Sequence, residues 1–389
     1  MADEFKLMIV AGEASGDAHA AKLVEALKDA SPGTKFEFFG SAGVRMRAGG
    51  VESIVRADDL AIMGLPEIAK ALPMFLKAFR DLKAAAIERN VDAVILVDFP
   101  EFNLKLAKAL NKKGFKVIYY ISPQLWGWRK YRRRVIRDHV DLLLTILPFE
   151  KDWYAQRGIS NVEYVGSPLA NEVRPDLSKE EFCDKYRIDP NRPLIALLPG
   201  SRHKEITRIL PLLLESASLM AQRDEQLQFV IALASVRSTN EVELAMIEAE
   251  RSGLSLPKIL MVQDETYNAL NAADAAAVAS GTATLETGII GTPMAIVYKT
   301  SGFNYKLIRP LITVEHFGLI NLIAGGRIVK EMIQDDFTPE NLVKELFRIL
   351  EPPVNAAIRG KLKEAAGKLG DGGASKRAAA AILKMLEKR

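Results

Sequence analysis

Cysteine is almost missing from this sequence. Cys183 is the single one in 389 residues, which excludes an intrachain disulfide and suits a reducing compartment. Long apolar runs are missing too: nowhere do about 18 uninterrupted apolar residues occur, so no transmembrane helix is expected. A membrane, if this chain meets one, is met from its surface. The opening MADEFKLMIV puts acidic residues first and reads as a first β-strand rather than a signal peptide. The four histidines, His19, His139, His203 and His316, are scattered, and there is no H-E-x-x-H, C-x-x-C or Asp-x-Asp. Neither a metal nor any other cofactor is therefore expected. G-x-G-x-x-G and the Walker A pattern are likewise missing. The net charge of +4 falls well short of the basic footprint of a dedicated nucleic-acid binder. No internal repeat and no low-complexity tract interrupts the chain.

What remains is ordinary globular material, 49% apolar and 26% charged, and it is long enough for two cores. Short apolar runs alternate with helical patterns, the mark of parallel βαβ units. Strands are expected at 6–10, 36–39, 93–97, 117–121, 142–146 and 162–165. The polar stretch 167–193, with four prolines, reads as a linker holding a short helix near 180–186. The pattern then restarts with strands at 194–198, 228–232, 259–262, 275–279 and 294–297, and from Thr338 onward it is helical. The fold class is α/β: two Rossmann-like, doubly wound parallel-sheet domains facing a cleft. The expected boundaries are 1–170, 171–352 and a helical tail, 353–389, that packs back on the first domain.

Ligands of such sheets bind beyond the carboxyl ends of the strands, and five loops there carry unusual residues. Ala11-Gly12-Glu13-Ala14-Ser15-Gly16-Asp17 offers two glycines for close backbone approach and a helix N-terminus for an anion, with Asp17 as N-cap. Val97-Asp98-Phe99-Pro100-Glu101-Phe102-Asn103 sets Asp98 at a strand's end, where a general base belongs. Trp126 and Trp128 run into the basic stretch 129–134, a surface for phosphate, sugar, anionic lipid or nucleic acid. Gly200-Ser201-Arg202 joins a glycine turn, free N–H groups and a guanidinium, a combination suited to a diphosphate. Ser280-Gly281-Thr282 heads a helix with Glu286 one turn in, a carboxylate placed to accept two ribose hydroxyls. Each of these also has a plain structural reading as a turn, a cap or a solvated charge. Leu65, Ile68, Leu72, Phe75, Leu76 and Phe79 form one stripe of a helix that Pro73 should kink. The stripe reads as core or as a membrane-surface face, and Met74 beside it as an apolar contact.

Together these pieces resemble the lipid-A-disaccharide synthase family over most of the chain. The resemblance is carried by AGEASGD (11–17), RADDLAIMGLPE (56–67), VDFPEFN (97–103), SPQLWGWR (122–129), LPFEKDWY (147–154), LLPGSR (197–202), ASGTATLE (279–286) and NLIAGGRIVKEMIQ (321–334). It implies a GT-B-type glycosyltransferase that acts with inversion. The donor would be UDP-2,3-diacylglucosamine and the acceptor 2,3-diacylglucosamine 1-phosphate. The products would be the β-1,6-linked lipid A disaccharide 1-phosphate and UDP, made on the cytoplasmic face of the inner membrane during lipopolysaccharide biosynthesis. By the same resemblance Asp98 is the base. Gly200, Ser201 and Arg202 hold the diphosphate. Ser280, Gly281, Thr282 and Glu286 hold the phosphates and ribose, with Asn321 bordering them. Gly12, Glu13, Ser15 and Gly16 belong to the substrate-binding set, and the 65–79 stripe enters the lipid. Two positions depart from the family pattern: Glu101 stands where aspartate is common, and Ser167 where histidine is common.

Two other functions stay open at this level. A UDP-GlcNAc 2-epimerase shares the fold and needs neither lipid nor acceptor. A nucleic-acid module built on Trp126, Trp128 and the basic run is opposed by the near-neutral remainder of the chain. Chain exchange between subunits, and so a homodimer, is also left open.

Overall fold

A computed structural model describes residues 4–60, 65–233, 238–302, 305 and 315–387, with residues 65–71 described in their backbone alone. The chain divides into two compact units, 1–168 with 371–389, and 169–370.

The first unit is built on seven parallel strands: β1 (Glu4–Val10), β2 (Lys35–Ala42), β3 (Glu52–Arg56), β4 (Ala93–Val97), β5 (Lys116–Tyr120), β6 (Leu142–Thr145) and β7 (Val162–Tyr164). Their order is β3-β2-β1-β4-β5-β6-β7. Register runs Leu7 to Ala93 through Val10 to Leu96 across the centre. Ala-Val-Ile-Leu-Val of β4 is buried at every residue, as a strand covered on both faces must be. Two apolar layers result, one on each face: Leu7, Ile9 and Ile95 point to one, Met8, Val10 and Leu96 to the other.

The second unit repeats the plan with β8 (Leu194–Leu198), β9 (Gln228–Leu233), β10 (Ile259–Gln263), β11 (Ala275–Ala279), β12 (Met294–Tyr298) and β13 (Glu331–Ile333). Their order is β10-β9-β8-β11-β12-β13. In each sheet the strand order reverses once, between β1 and β4 and between β8 and β11. These are the switch points where doubly wound sheets open a crevice. All of the expected ligand loops except the Trp126–Arg134 stretch leave these four strands.

Two strands escape a reading by apolar runs, and both lie at sheet edges. Glu-Ser-Ile-Val-Arg of β3 is only partly buried. The three residues of β13 begin with Glu331, a buried carboxylate that accepts Phe317 N at 2.9 Å and Gly318 N at 3.0 Å. The C-terminal return also differs from expectation. Helix Pro352–Gly367 stays in the second unit, where Arg359 donates to Gly291 O at 3.0 Å and Ala273 O at 3.2 Å. The chain rejoins the first unit only at Asp371. There Ala378, Ala379 and Ile382 of helix Ala374–Leu386 enter the core beside Leu23 and Leu27, and Arg377 Nε donates to Val165 O at 2.7 Å.

Candidate active site

Strand β4 ends in an abrupt backbone turn. Asp98 and Phe99 both take left-handed φ, 47° and 50°, which aspartate tolerates better than most residues and phenylalanine does not. Hydrogen bonds hold the turn. Asp98 N donates to Tyr120 O at 3.0 Å. The Asp98 carbonyl accepts both the Tyr119 hydroxyl at 2.7 Å and Asn103 Nδ2 at 2.8 Å. Asn103 is fully buried, and its amide also donates to Val97 O at 3.2 Å. The turn places the Asp98 side chain on a cavity of about 580 Å³ inside the first unit. Gly12, Glu13 and Gly16 from the loop after β1 line the same cavity, as do Phe75, Phe79 and Phe102.

Electrostatics follow from that wall. Burial, and then the charge of Glu13, push the Asp98 carboxyl from an ordinary 3.8 up to about 6, while the Phe99 N–H that it accepts pulls the other way. A carboxylate so placed is a base whose proton affinity lies near neutral pH. Glu101 behaves oppositely. Burial favours its neutral form, but Arg132 and Arg129 outweigh that and lower its pKa. Arg132 binds one oxygen at 2.6 Å and Arg129 the other.

Asp17 does something else than expected. Residue Glu13 takes the N-cap position of helix Ala14–Ala30. The buried Asp17 carboxylate accepts Gly43 N and Arg45 N, both at 2.8 Å, and Met46 N at 3.2 Å. It caps the distant helix Val44–Ala48 and ties the loop after β2 to the loop after β1. Ser15 is exposed.

Along the apolar stripe, Phe75 and Phe79 turn inward, with ring centroids 6.4 and 5.9 Å from Phe102. Met74 packs on the same core layer rather than outward. Leu72 and Leu76 stay more than half exposed at the cavity edge. The side chains of Leu65 and Ile68 lie outside the described residues. Pro73 sits inside helix Leu65–Glu88. Of the two tryptophans, Trp126 is core, its Nε1 donating to the buried Glu150 at 3.0 Å, and only Trp128 reaches the surface.

The second unit has its own convergence of loops. Gly200, at φ 110°, packs so closely on Glu205 that a Cβ there would fall 2.8 Å from the Glu205 Cβ. Ser201 N and Arg202 N are not free, since both donate to Glu205 Oε2, at 3.1 and 3.2 Å. Nor is the Arg202 guanidinium fixed: it is 77% exposed and among the described residues pairs only with the neighbouring Glu205, at 3.3 Å. A protein carboxylate thus takes the two N–H groups expected for an anion. Opposite, Gly281 caps helix Thr282–Ile290, with Gly281 and Thr282 exposed and Ser280 Oγ donating to Phe317 O at 3.2 Å. Glu286 accepts the Tyr267 hydroxyl at 3.0 Å, and burial raises its pKa against that bond. Tyr267 lies 19 residues earlier, on helix Thr266–Ala272, and no local pattern announces it.

Asn321 is engaged within its own loop. It is fully buried. Its amide donates to Val329 O and Glu331 Oε1, at 2.9 and 2.8 Å, and its oxygen accepts Ile328 N and Val329 N, at 2.9 and 3.1 Å. Every hydrogen bond that an asparagine side chain makes is used on this loop, so its side chain shapes the loop.

Comparison with known proteins fits this geometry. A family model described as lipid-A-disaccharide synthetase matches residues 7–384. The chain is similar to lipid-A-disaccharide synthases of Trichlorobacter lovleyi, 41% identical over 383 residues and 98% of both chains, and of Geobacter metallireducens, 40% identical over 385 residues, 99% of this chain and 98% of the other. Among solved structures, a UDP co-structure of S. aureus MnaA matches with a TM-score of 0.67 at 15% identity, covering 98% of this chain and 97% of that one. Sucrose-phosphate synthase from Thermosynechococcus elongatus matches with 0.59 at 14%, covering 99% of each. At such identities the structural likeness is one of fold, the two-sheet GT-B architecture, and carries no activity over to this chain. The full-length sequence match carries the assignment: this chain belongs to the lipid-A-disaccharide synthase family, glycosyltransferases on the GT-B fold.

Proposed function

We propose that the chain joins UDP-2,3-diacylglucosamine to the 6-hydroxyl of 2,3-diacylglucosamine 1-phosphate, with Asp98 as the base. The observation that carries the reading is Asp98 itself, a carboxylate held on an apolar cavity by a left-handed turn, with its pKa raised to about 6. At neutral pH it is ionised, yet more basic than a solvated aspartate. It takes the O6 proton while O6 forms its bond to the donor's anomeric carbon. The bond from that carbon to the diphosphate oxygen breaks, and UDP leaves with the electron pair. A base so positioned contributes roughly 10²–10⁴ in rate. Arg202, the 200–202 turn and the head of helix Thr282–Ile290 receive the diphosphate, for which Glu205 must yield its two N–H groups. Glu286, steadied by Tyr267, takes the ribose hydroxyls.

The apolar wall suits acyl chains. Both substrates stay in a bilayer, because each buried lipid CH₂ contributes about 0.8 kcal/mol, so the enzyme works as a peripheral protein on the cytoplasmic face of the inner membrane. Leu72 and Leu76, exposed at the cavity edge, are its described apolar contacts.

The test combines purified protein, both lipid substrates and mass spectrometry, beside the variant Asp98→Asn. Disaccharide 1-phosphate from wild type, lost in a folded variant, is the expected result. Disaccharide from both would displace Asp98 as the base. No disaccharide in any detergent or vesicle, with turnover of UDP-GlcNAc alone, would overturn the transferase reading.

A further inference from the structure

The wall of the Asp98 cavity carries two cations, Lys105 and Arg129, that proton abstraction and UDP departure leave without a task. Arg129 enters from a left-handed residue, φ 52°. Its guanidinium lies 4.2 Å from the Trp128 ring centroid and binds one oxygen of Glu101. Arg132, largely covered, binds the other oxygen. Lys105 sits one turn beyond Glu101 on helix Pro100–Asn111, on the same helix face, and makes no ion pair among the described residues. Arg129 and Arg132 therefore share the one Glu101 carboxylate, and Lys105 stands beside it on the same helix face.

We propose that Lys105 and Arg129 form a subsite for a phosphate monoester on the acceptor sugar, with Glu101 occupying the arginines until that phosphate arrives. The inference rests on the transferase reading of the same cavity. A phosphate monoester carries about −1.5 to −2 charge near pH 7, enough to engage both Lys105 and Arg129. A guanidinium already stacked on a ring loses little freedom on binding and presents its edge to a planar pair of oxygens. The acceptor is polar at two ends of one sugar, a hydroxyl to be deprotonated and a phosphate, and greasy along its acyl chains. The cavity offers the same division: Asp98 for the hydroxyl, Lys105 and Arg129 for the phosphate, and Leu72, Phe75, Leu76 and Phe79 for the chains.

The test compares two acceptors with identical acyl chains in one detergent, the 1-phosphate and its 1-O-methyl glycoside. The readout is the ratio of their kcat/KM values in wild type, Arg129→Gln and Lys105→Met, with a melting curve for each protein. Wild type is expected to prefer the phosphate. Each variant should lower the ratio at least about tenfold, mainly through KM, as the loss of a charge-assisted hydrogen bond implies. An unchanged ratio in both folded variants would overturn the subsite. So would an equal loss on both acceptors together with weaker sedimentation on anionic phospholipid vesicles, for the cations would then serve membrane phosphates. Failure of wild type to form disaccharide from either acceptor is a separate result: it sinks the transferase reading, and this subsite with it.

Discussion

Replacing Asp98 by asparagine separates what the side chain does for catalysis from what its charge does to the fold. Asparagine tolerates the left-handed φ of 47° and can still accept the Phe99 N–H. The bonds from Tyr119 and Asn103 go to the main-chain carbonyl and are untouched. The charge alone is removed. The Asp98 pKa rises from 3.8 to about 6 on folding, so between those values the native state holds a proton that the unfolded chain has released. Stability from this group therefore falls as pH rises through that window, the reverse of a salt-bridged acid. A carboxyl whose proton affinity rises this far on folding costs the native state at most about 3 kcal/mol at neutral pH. For a unit of this size that ceiling is a gain of roughly 6–12 °C in Tm once the charge is removed. Asp98→Asn is thus expected to be inactive yet more stable than wild type at pH 7.5. The advantage should shrink on acidification and vanish near pH 4, where the native wild-type carboxyl is also neutral. Urea or thermal unfolding at the two pH values measures it. A variant no more stable than wild type at pH 7.5, or one whose advantage persists at pH 4, would refute the desolvated-carboxylate argument.

Other consequences follow from the same side chains. Glu13→Gln removes a like charge that raises the Asp98 pKa, while burial, the larger cause, remains. The acid limb of kcat/KM should then move down from about pH 6 without reaching the ordinary 3.8, and a limb that stays or moves up would contradict the coupling. Tyr267→Phe takes the 3.0 Å donor from Glu286 and should raise the donor KM by about fivefold, the worth of one ordinary hydrogen bond. An altered acceptor KM with an unaltered donor KM would place Glu286 elsewhere. Leu72→Ser with Leu76→Ser should reduce sedimentation with phospholipid vesicles while leaving the melting curve within a few degrees, since both residues are exposed. Unchanged sedimentation would remove them from the membrane face. Phe75 and Phe79 are unsuited to that test because their rings support Phe102 and the cavity wall.

Legibility in the sequence tracked how local each cause is. The central strands β4, β8 and β11 read directly, because a strand buried on both faces must be apolar throughout, and the residue after it must face the crevice. That placed Asp98, Gly200 and Ser280 correctly in the fold. Edge strands β3 and β13 escape such a reading because β3 is only partly buried, with charged exposed ends, and β13 spends Glu331 on a loop. Asp17 looked like a cap of its own helix and instead caps the distant helix Val44–Ala48. Asn321 and Trp126 read as ligand-facing residues, and both are buried, Asn321 bonded within its own loop and Trp126 to Glu150. Glu205 occupies the 200–202 turn with no sequence signal of its own. Nothing local distinguishes a first-turn glutamate that faces solvent from one folded back on two N–H groups.

The loops after β1 and β4 then cease to be separate motifs. A Cβ on Gly12 would fall 2.3 Å from the Phe99 ring, so Gly12 is required by a side chain of the other loop. Phe99 reaches that place only because the backbone at 98–99 is left-handed, and that backbone is held by Asn103 and Tyr119. A Cβ on Gly43 would likewise meet the Asp17 carboxylate at 2.4 Å, which fastens the loop after β2 to the same assembly. Of the two described glycines on the cavity, Gly16, where a Cβ meets nothing closer than 3.6 Å, carries no such demand. Conformational freedom has been removed around Asp98 from three sides, and the left-handed turn persists because its neighbours leave it no other shape.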